Sequence, residues 1–401
     1  MSNSTRSSHP SRPRVALVGV DGYAKVYHEF VQAAHAEGRL EMAGVAVLER
    51  ELDLPAVHDL RARGAAVFTR YDEMLASLAG RLDLCLVPTG IQWHARMTIA
   101  ALEAGANVLV EKPLAGSMAD AQAIRAAERA NDRWVAVGFQ DVYISEALDL
   151  KKRICGGEIG RLESVRVIGL WPRPRSYFER NHWAGRLEAD GAPTKDSPIN
   201  NALAHFANLA LFFAGPSPTE SASVTIDRAE LLRAHRIDSF DTAVIRGHTP
   251  EGVDLWLGVT HACRTPREPE IVIRGTAGSA AWMHDRDCWV RPDRGRETRL
   301  RLQSYDYTRR VMFDSVLARL EDSSAWICGS DIAIKHTALV ESIHAAAPIA
   351  DVPETAVDTF STPTGDSEFP AIHGIEESLA RAYETGGTLA ASTATTLSPS
   401  P

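Results

Sequence analysis

The feature that most constrains this chain is a regular alternation of short apolar runs and amphipathic stretches between residues 14 and 138. Residues 15–20 read as a buried strand, 23–37 as a helix and 42–48 as a second strand. Another strand falls at 82–87 and ends at Pro88. Residues 91–104 read as a helix with Gly105 in the stopping position, followed by a strand at 107–110. Ser117 and Asp120 have capping-box spacing and open a helix that runs to about 130; a strand at 134–138 closes the series. Near-continuous apolar strands alternating with helices predict a parallel sheet covered on both faces.

After Gln140 the rhythm changes. A helix at 144–154 and a glycine turn at 156–160 lead into a strand at 162–170. Segments of β character follow near 221–227, 240–247, 253–260, 270–274 and 279–283, with helices near 304–322 and 331–346. Strands in a run, with helices grouped apart, indicate an α+β arrangement. The expected organisation is therefore α/β. A disordered 1–13 precedes a parallel-sheet domain at 14–140 and an α+β domain at 141–350. Residues 351–385 are expected as a Pro-, Thr-, Asp- and Ser-rich linker with a helix at 372–385, before a disordered tail at 386–401.

Composition narrows the partners. The 401 residues carry a formal net charge of -9, which argues against nucleic acid and anionic membranes. No apolar run approaches the roughly 18 residues of a membrane span. The first residues, MSNSTRSSHPSRPR, lack the apolar segment of a secretory signal. The five cysteines (Cys85, Cys155, Cys263, Cys288, Cys328) are odd in number and widely spaced. They fit neither a disulfide framework nor a metal site, so a cytoplasmic chain without metal is expected.

Between the first strand and first helix, Gly19-Val-Asp-Gly-Tyr-Ala24 supplies a glycine turn where a Rossmann fold lays a dinucleotide pyrophosphate on a helix N-terminus. Against the G-x-G-x-x-G/A template, Gly19 holds the first position, Asp21 the second and Ala24 the third. Gly22 and Tyr23 stand beside them, and Asp21 departs from the pattern because a carboxylate repels phosphates. At the end of the second strand, Glu49 suits the ribose hydroxyls of NAD, whereas Arg50 suits the 2′-phosphate of NADP. NAD is the favoured cofactor.

The most informative segment is Leu86-Val-Pro-Thr-Gly-Ile-Gln-Trp-His-Ala-Arg96, continuing through Ala101 to Glu111-Lys112-Pro113-Leu-Ala115. A lysine where a buried parallel strand ends lies where open α/β sheets bind ligands, and desolvation there lowers its pKa towards proton transfer. With Gly138-Phe139-Gln140 and the glycine turn at 156–160, this segment closely resembles the Gfo/Idh/MocA family of oxidoreductases over roughly 14–345. The resemblance implies an N-terminal Rossmann domain and a C-terminal domain on an open, mainly antiparallel sheet whose free face often forms oligomer contacts. It implies nicotinamide near Lys112, Pro113 in a cis peptide, and Pro88, Thr89, His94, Glu111 and Gln140 around the cofactor. Tyr143 occupies a position where such proteins often contact substrate.

Residues 200–213 form an uncharged stretch with Asn201, His205 and Asn208 at i, i+4 and i+7, a polar stripe on an otherwise apolar helix. Such a seam either lines a polar cavity or pairs with other core groups. The resemblance implies that His205 exchanges a proton with the reacting hydroxyl, alongside Lys112. The family pattern places aspartates four before and three after this histidine; here both are asparagines, and Asp196 stands as a displaced carboxylate. The preceding segment supplies Trp171, Arg173, Tyr177, Asn181, Trp183 and Asn200 as substrate contacts. Its aromatic and guanidinium groups suit a sugar, a carboxylate or a phosphate.

These readings together lead to an NAD(P)-dependent dehydrogenase or reductase. It would move hydride between nicotinamide and a secondary hydroxyl of a sugar, cyclitol or sugar acid, as a homo-oligomer (dimer or tetramer). Two alternatives stay open: a redox-neutral enzyme that retains NAD for lyase or glycosidase chemistry, and a non-enzymatic regulator that binds dinucleotide and sugar.

Overall fold

The computed structural model describes residues 12–361 and 367–389. Its first half runs β1 (Arg14–Val18), α1 (Ala24–Ala36), β2 (Glu41–Ala46), α2 (Pro55–Ala62), β3 (Ala66–Phe68), α3 (Tyr71–Leu78), β4 (Leu84–Val87), α4 (Ile91–Glu103), β5 (Asn107–Val110), α5 (Met118–Asn131) and β6 (Val135–Val137). All pairings are parallel, in the order β3-β2-β1-β4-β5-β6. The order reverses between β1 and β4, and the crevice at their carboxyl ends is where such sheets take ligands. The strands are apolar because helices cover both faces: every residue of β4 and β6 is buried. Ser117 caps α5 by accepting from the Asp120 amide, as its spacing predicts. The α2–β3–α3 stretch was not marked by the sequence reading, because three residues of strand are too few for a period.

The second half opens with α6 (Ser145–Cys155), β7 (Leu162–Leu170), α7 (Arg175–Glu179), the two-residue strands β8 (Glu188–Ala189) and β9 (Ala192–Pro193), and α8 (Ala204–Ala214). Strands β10 (Thr225–Arg233), β11 (Thr242–His248), β12 (Asp254–Thr260), β13 (Arg267–Gly275), β14 (Gly278–Met283), β15 (Asp287–Pro292) and β16 (Thr298–Arg301) follow. Next come α9 (Tyr305–Glu321), α10 (Ser330–Ala346), β17 (Ile349–Asp351), β18 (Val357–Ser361), β19 (Glu368–Ile372) and α11 (Ile375–Thr385). Among the described residues, nine strands form a mixed, mainly antiparallel sheet in the order β16-β15-β14-β13-β7-β12-β11-β10-β17. Its inner face packs on α8 and α10 in one apolar core shared with the parallel sheet.

Four expectations are corrected. The histidine helix starts at Ala204, so Asn200 and Asn201 sit in the turn before it and not on its surface. The supposed linker after 350 instead forms β17 and a β18–β19 hairpin, in which the Phe360 and Phe369 rings stack across the pair at 5.1 Å. The expected tail begins in packed structure: Leu389 is buried, and the Gly387 carbonyl accepts from the Trp256 indole at 2.9 Å. At the other end the Pro13 carbonyl accepts from the Glu41 amide at 2.9 Å. The rest of the expected disorder, at 1–11 and 390–401, lies outside the described residues.

The outer face of the sheet is partly covered. Ile375, Leu379 and Ala382 of α11 pack with Ile168, Leu170, Val244 and Trp256 in a second, smaller core. No helix among the described residues is long and apolar enough to cross a membrane.

Candidate active site

The first strand ends in Gly19, whose φ of +77° only glycine adopts freely; its amide donates to the Ala46 carbonyl at 2.7 Å. The turn then runs through Asp21, Gly22 (φ +59°) and Tyr23, all exposed, before Ala24 enters α1. A Cβ on Gly19 would meet that of Ala24 at 3.4 Å, so strand and helix lie close across the turn. No side chain caps α1, which leaves its N-terminal dipole open towards the crevice. These features fit a dinucleotide pyrophosphate, with Asp21 held out in solvent. After β2 a short helical turn, Glu49–Glu51, carries exposed Glu49 and Arg50. The carboxylate fixed by backbone is Glu51, which is buried and accepts from the Leu48 amide at 2.9 Å.

Glu111, at the end of β5, is buried and accepts from the Tyr27 hydroxyl at 2.5 Å and the Lys112 amide at 3.1 Å. A Cβ on Gly138 would stand 2.7 Å from a Glu111 oxygen, so any side chain there would displace the Glu111 carboxylate. The Lys112–Pro113 peptide is cis, as the resemblance implies. Lys112 Nζ donates to the Asn201 carbonyl and Oδ1 at 3.1 and 3.0 Å. Burial lowers the Lys112 pKa, against the opposing carboxylates of Glu111 and Asp196.

Asn201 passes the connection on: its Nδ2 donates to Asp196 Oδ1 at 2.8 Å, while Asp196 Oδ2 accepts from the Gly185 amide at 2.6 Å. Asp196, noted above as a displaced carboxylate, is thus anchored beneath Lys112. Burial raises its pKa.

His205, at the start of α8, is buried, and desolvation holds its pKa well below the usual histidine range, assisted by the Lys112 charge. Its Nε2 lies 3.4 Å from the Tyr305 hydroxyl. Its Nδ1 faces Asp141 Oδ2 at 3.9 Å, and neither atom has a hydrogen-bond partner. Burial pushes the Asp141 carboxyl up to about 7, with Asp285 adding to the rise. Asn208, also on α8, is wholly buried with its amide unbonded.

Glu111, Lys112, Asn201, His205 and Tyr305 share one cavity of about 830 Å³, with Asp141, Asp196 and Asn208 behind its lining. Gly22, Tyr23, Pro88, Thr89, Glu111 and Lys112 come from the parallel sheet. Trp171, Arg173, Tyr177, Asn181, Trp183, Asn201 and His205 come from the second half of the chain, and the site therefore closes between the two. A cavity with a few convergent polar groups and perturbed carboxyl, lysine and histidine side chains has the usual make-up of an active site.

Several expected contacts lie elsewhere. His94 is fully buried, with Nδ1 2.7 Å from the Pro113 carbonyl and Nε2 3.0 Å from that of Thr89. Burial lowers its pKa to about 4, so the neutral ring donates to one carbonyl only and braces the Lys112 loop from behind. Tyr143 is buried in the core, its hydroxyl donating to the Val137 carbonyl at 3.0 Å. Asn200 is buried, with its Nδ2 2.8 Å from the Thr194 carbonyl. Gln140 is fully buried and does not line the cavity. Sequence reasoning missed Tyr305, His284 and Asp141, whereas Arg180, one of the guanidinium groups expected to suit a substrate carboxylate or phosphate, does line the cavity. Only Asp141 carried a signal, since it follows the Gly138-Phe139-Gln140 junction directly.

Residues 13–139 match the model of the Gfo/Idh/MocA oxidoreductase family with its NAD-binding Rossmann fold, and residues 147–281 match the C-terminal domain of the same family. Inositol 2-dehydrogenase of Corynebacterium glutamicum (strain R) is 32% identical over 124 residues, 31% of this chain and 36% of that protein. Inositol 2-dehydrogenase of Leifsonia xyli is 28% identical over 169 residues, 42% of this chain and 44% of that protein. The chain thus spans less than half the length of these curated relatives. Among solved structures, the WlbA dehydrogenase of Bordetella pertussis, in complex with NADH and UDP-GlcNAcA, aligns with a TM-score of 0.68 at 24% identity, over 84% of this chain and 96% of that one. A 3-ketoreductase of Actinomadura kijaniata, in complex with NADP and TDP-benzene, aligns with a TM-score of 0.65 at 17% identity, over 85% and 100%. At such identity the likeness concerns the fold.

Proposed function

The chain belongs to the Gfo/Idh/MocA oxidoreductase family, and from that premise we propose that it is an NAD(P)-dependent dehydrogenase or reductase acting on a secondary hydroxyl of a polyhydroxylated substrate. The observation that carries this is the convergence of Lys112, His205 and Tyr305 on one cavity that also opens onto the glycine turn. The nicotinamide, when bound, accepts or supplies the hydride. Gly19, Gly22, Tyr23 and Ala24 would receive the pyrophosphate, and Pro88, Thr89 and Pro113 would flank the nicotinamide.

Lys112, held by Asn201, points its ammonium at the substrate oxygen and polarises it. His205 is kept neutral by burial and can take the hydroxyl proton at Nε2, next to the Tyr305 hydroxyl. As the imidazolium forms, its Nδ1 faces Asp141, which supplies the carboxylate that Asn201 and Asn208 cannot. Trp171, Tyr177 and Trp183 offer flat apolar walls to a sugar or cyclitol ring.

Glu49 at the end of β2 supports NAD over NADP. The five cysteines are all free, which supports a reducing cytoplasm. A homo-oligomer, dimer or tetramer, belongs to the same proposal, and sedimentation velocity reads it.

The test is nicotinamide absorbance with a panel of sugars, cyclitols and sugar acids, each with NAD and NADP. Turnover of at least one polyol, faster with NAD, is expected. No turnover with any member, despite bound nucleotide, contradicts the assignment.

A further inference from the structure

The loop after β7 carries four arginines between 173 and 186, and the structure divides them. Arg175 pairs with Glu368 at 3.2 Å and Arg186 with Asp238 at 3.1 Å; neither lines the cavity. Arg173 and Arg180 do line it, and among the described residues neither has a carboxylate within ion-pair distance. Both are held by aromatic faces instead. The Arg180 guanidinium sits 3.7 Å from the Tyr177 ring centre and 5.4 Å from that of Trp183. The Arg173 guanidinium lies 4.9 Å from Tyr177 and 5.6 Å from Trp171. A guanidinium held over a ring keeps N–H groups for an acceptor, although Arg180 gives one of its own to the Tyr177 carbonyl.

The carboxylates nearby are already engaged. Glu111 accepts from Tyr27 and from the Lys112 amide. Asp196 accepts from Asn201 and Gly185. His182, on the same loop, holds Asp190 at 2.8 Å. The cavity thus presents Arg173 and Arg180 without a carboxylate at ion-pair distance, beside a Lys112 whose charge Glu111 and Asp196 oppose, inside a chain whose formal net charge is -9.

We propose that Arg173 and Arg180 form an anion subsite, and that the substrate class is a polyhydroxylated molecule bearing a carboxylate or phosphate. The proposal rests on the dehydrogenase reading for the position of the reacting hydroxyl. The arginine loop is tied to the second sheet, through the Trp171 amide to the Thr260 carbonyl and the Arg173 amide to the His261 carbonyl, both at 3.0 Å. The glycine turn belongs to the parallel sheet. The anion therefore lies on the substrate side of Lys112, apart from the cofactor phosphates. Two forked donors match carboxylate and phosphate geometry alike.

The test is titration calorimetry of the NADH-loaded chain with glucuronate, glucose 6-phosphate, glucose and myo-inositol, for the natural sequence and for R173Q and R180Q. At least one anion should bind about tenfold or more tightly than glucose, less so at high salt. Whichever of glucuronate and glucose 6-phosphate binds better identifies the anion. Each variant should lose most of that preference while melting at the same temperature and keeping its NADH affinity. Equal binding of glucose and both anions overturns the proposal. So does a loss of NADH affinity in the variants, which would assign the arginines to the cofactor. Anion preference without hydride transfer contradicts the dehydrogenase reading alone, and efficient turnover of neutral polyols without anion preference contradicts the subsite alone.

Discussion

Asp141 Oδ2 lies 3.9 Å from His205 Nδ1, both buried and without other hydrogen-bond partners. The histidine thus has an acidic neighbour after all, supplied from the strand-end junction instead of from its own helix. At that distance no hydrogen bond has formed, and a carboxyl pushed up to about 7 supplies its carboxylate to His205 only as pH rises through that value.

The sign of the Asp141 effect on stability follows from its pKa, raised from 3.8 to about 7 by burial. The folded chain holds a proton that the unfolded chain releases, so this group's contribution is most favourable below the unfolded pKa. It weakens as pH rises towards about 7 and is level above that. Asp141→Asn should therefore stabilise the protein at alkaline pH, by at most about 4 kcal/mol at about 1.4 kcal/mol per unit, and change little near pH ~4. Urea unfolding across that range checks it; a variant equally destabilised at every pH would remove Asp141 from this role.

Asn201 holds Lys112 with a neutral oxygen. Asn201→Asp places a carboxylate there and should raise the lysine pKa that burial has lowered. Because the ammonium form polarises the substrate oxygen, activity is lost as pH rises through that pKa. The basic limb of the kcat/KM profile should then move to higher pH, and an unmoved limb would mean that Lys112 does not titrate in the reaction.

Leu379 is fully buried between α11 and the outer sheet face, beside Trp256 and Ile168. Leu379→Ala should cost about 2–5 kcal/mol of stability. A red shift of tryptophan emission should accompany it as Trp256 gains water. A change below about 0.5 kcal/mol would show that α11 contributes little to the fold.

Much of this architecture was legible because periodicity survives wherever one face is buried. The strands at 82–87, 107–110 and 162–170 and the helices near 304–322 and 331–346 lie within a few residues of where their patterns placed them. The α2–β3–α3 stretch and the β18–β19 hairpin were not legible, since their short strands are set by neighbours instead of by local pattern.

In the site, Lys112 meets Asn201, a contact that no spacing announced, and Asn201 reaches it from a turn and not from the expected helix. Tyr305 and Asp141 were hidden because each reaches His205 across a long stretch of chain or from a buried turn, and no spacing encodes that. His94 and Tyr143 lie within family motifs yet face the core, so motif membership did not report which way a side chain points.

The most direct test of the central claim is a comparison of Lys112→Ala and His205→Ala with the unchanged chain, measuring turnover of a polyol and nucleotide affinity in the same preparations. Proton handling of this kind contributes about 10²–10⁴-fold, so each variant should lose at least about 100-fold in kcat while its dinucleotide Kd stays within about threefold. Full turnover in either variant, or a loss confined to cofactor binding, would contradict the account.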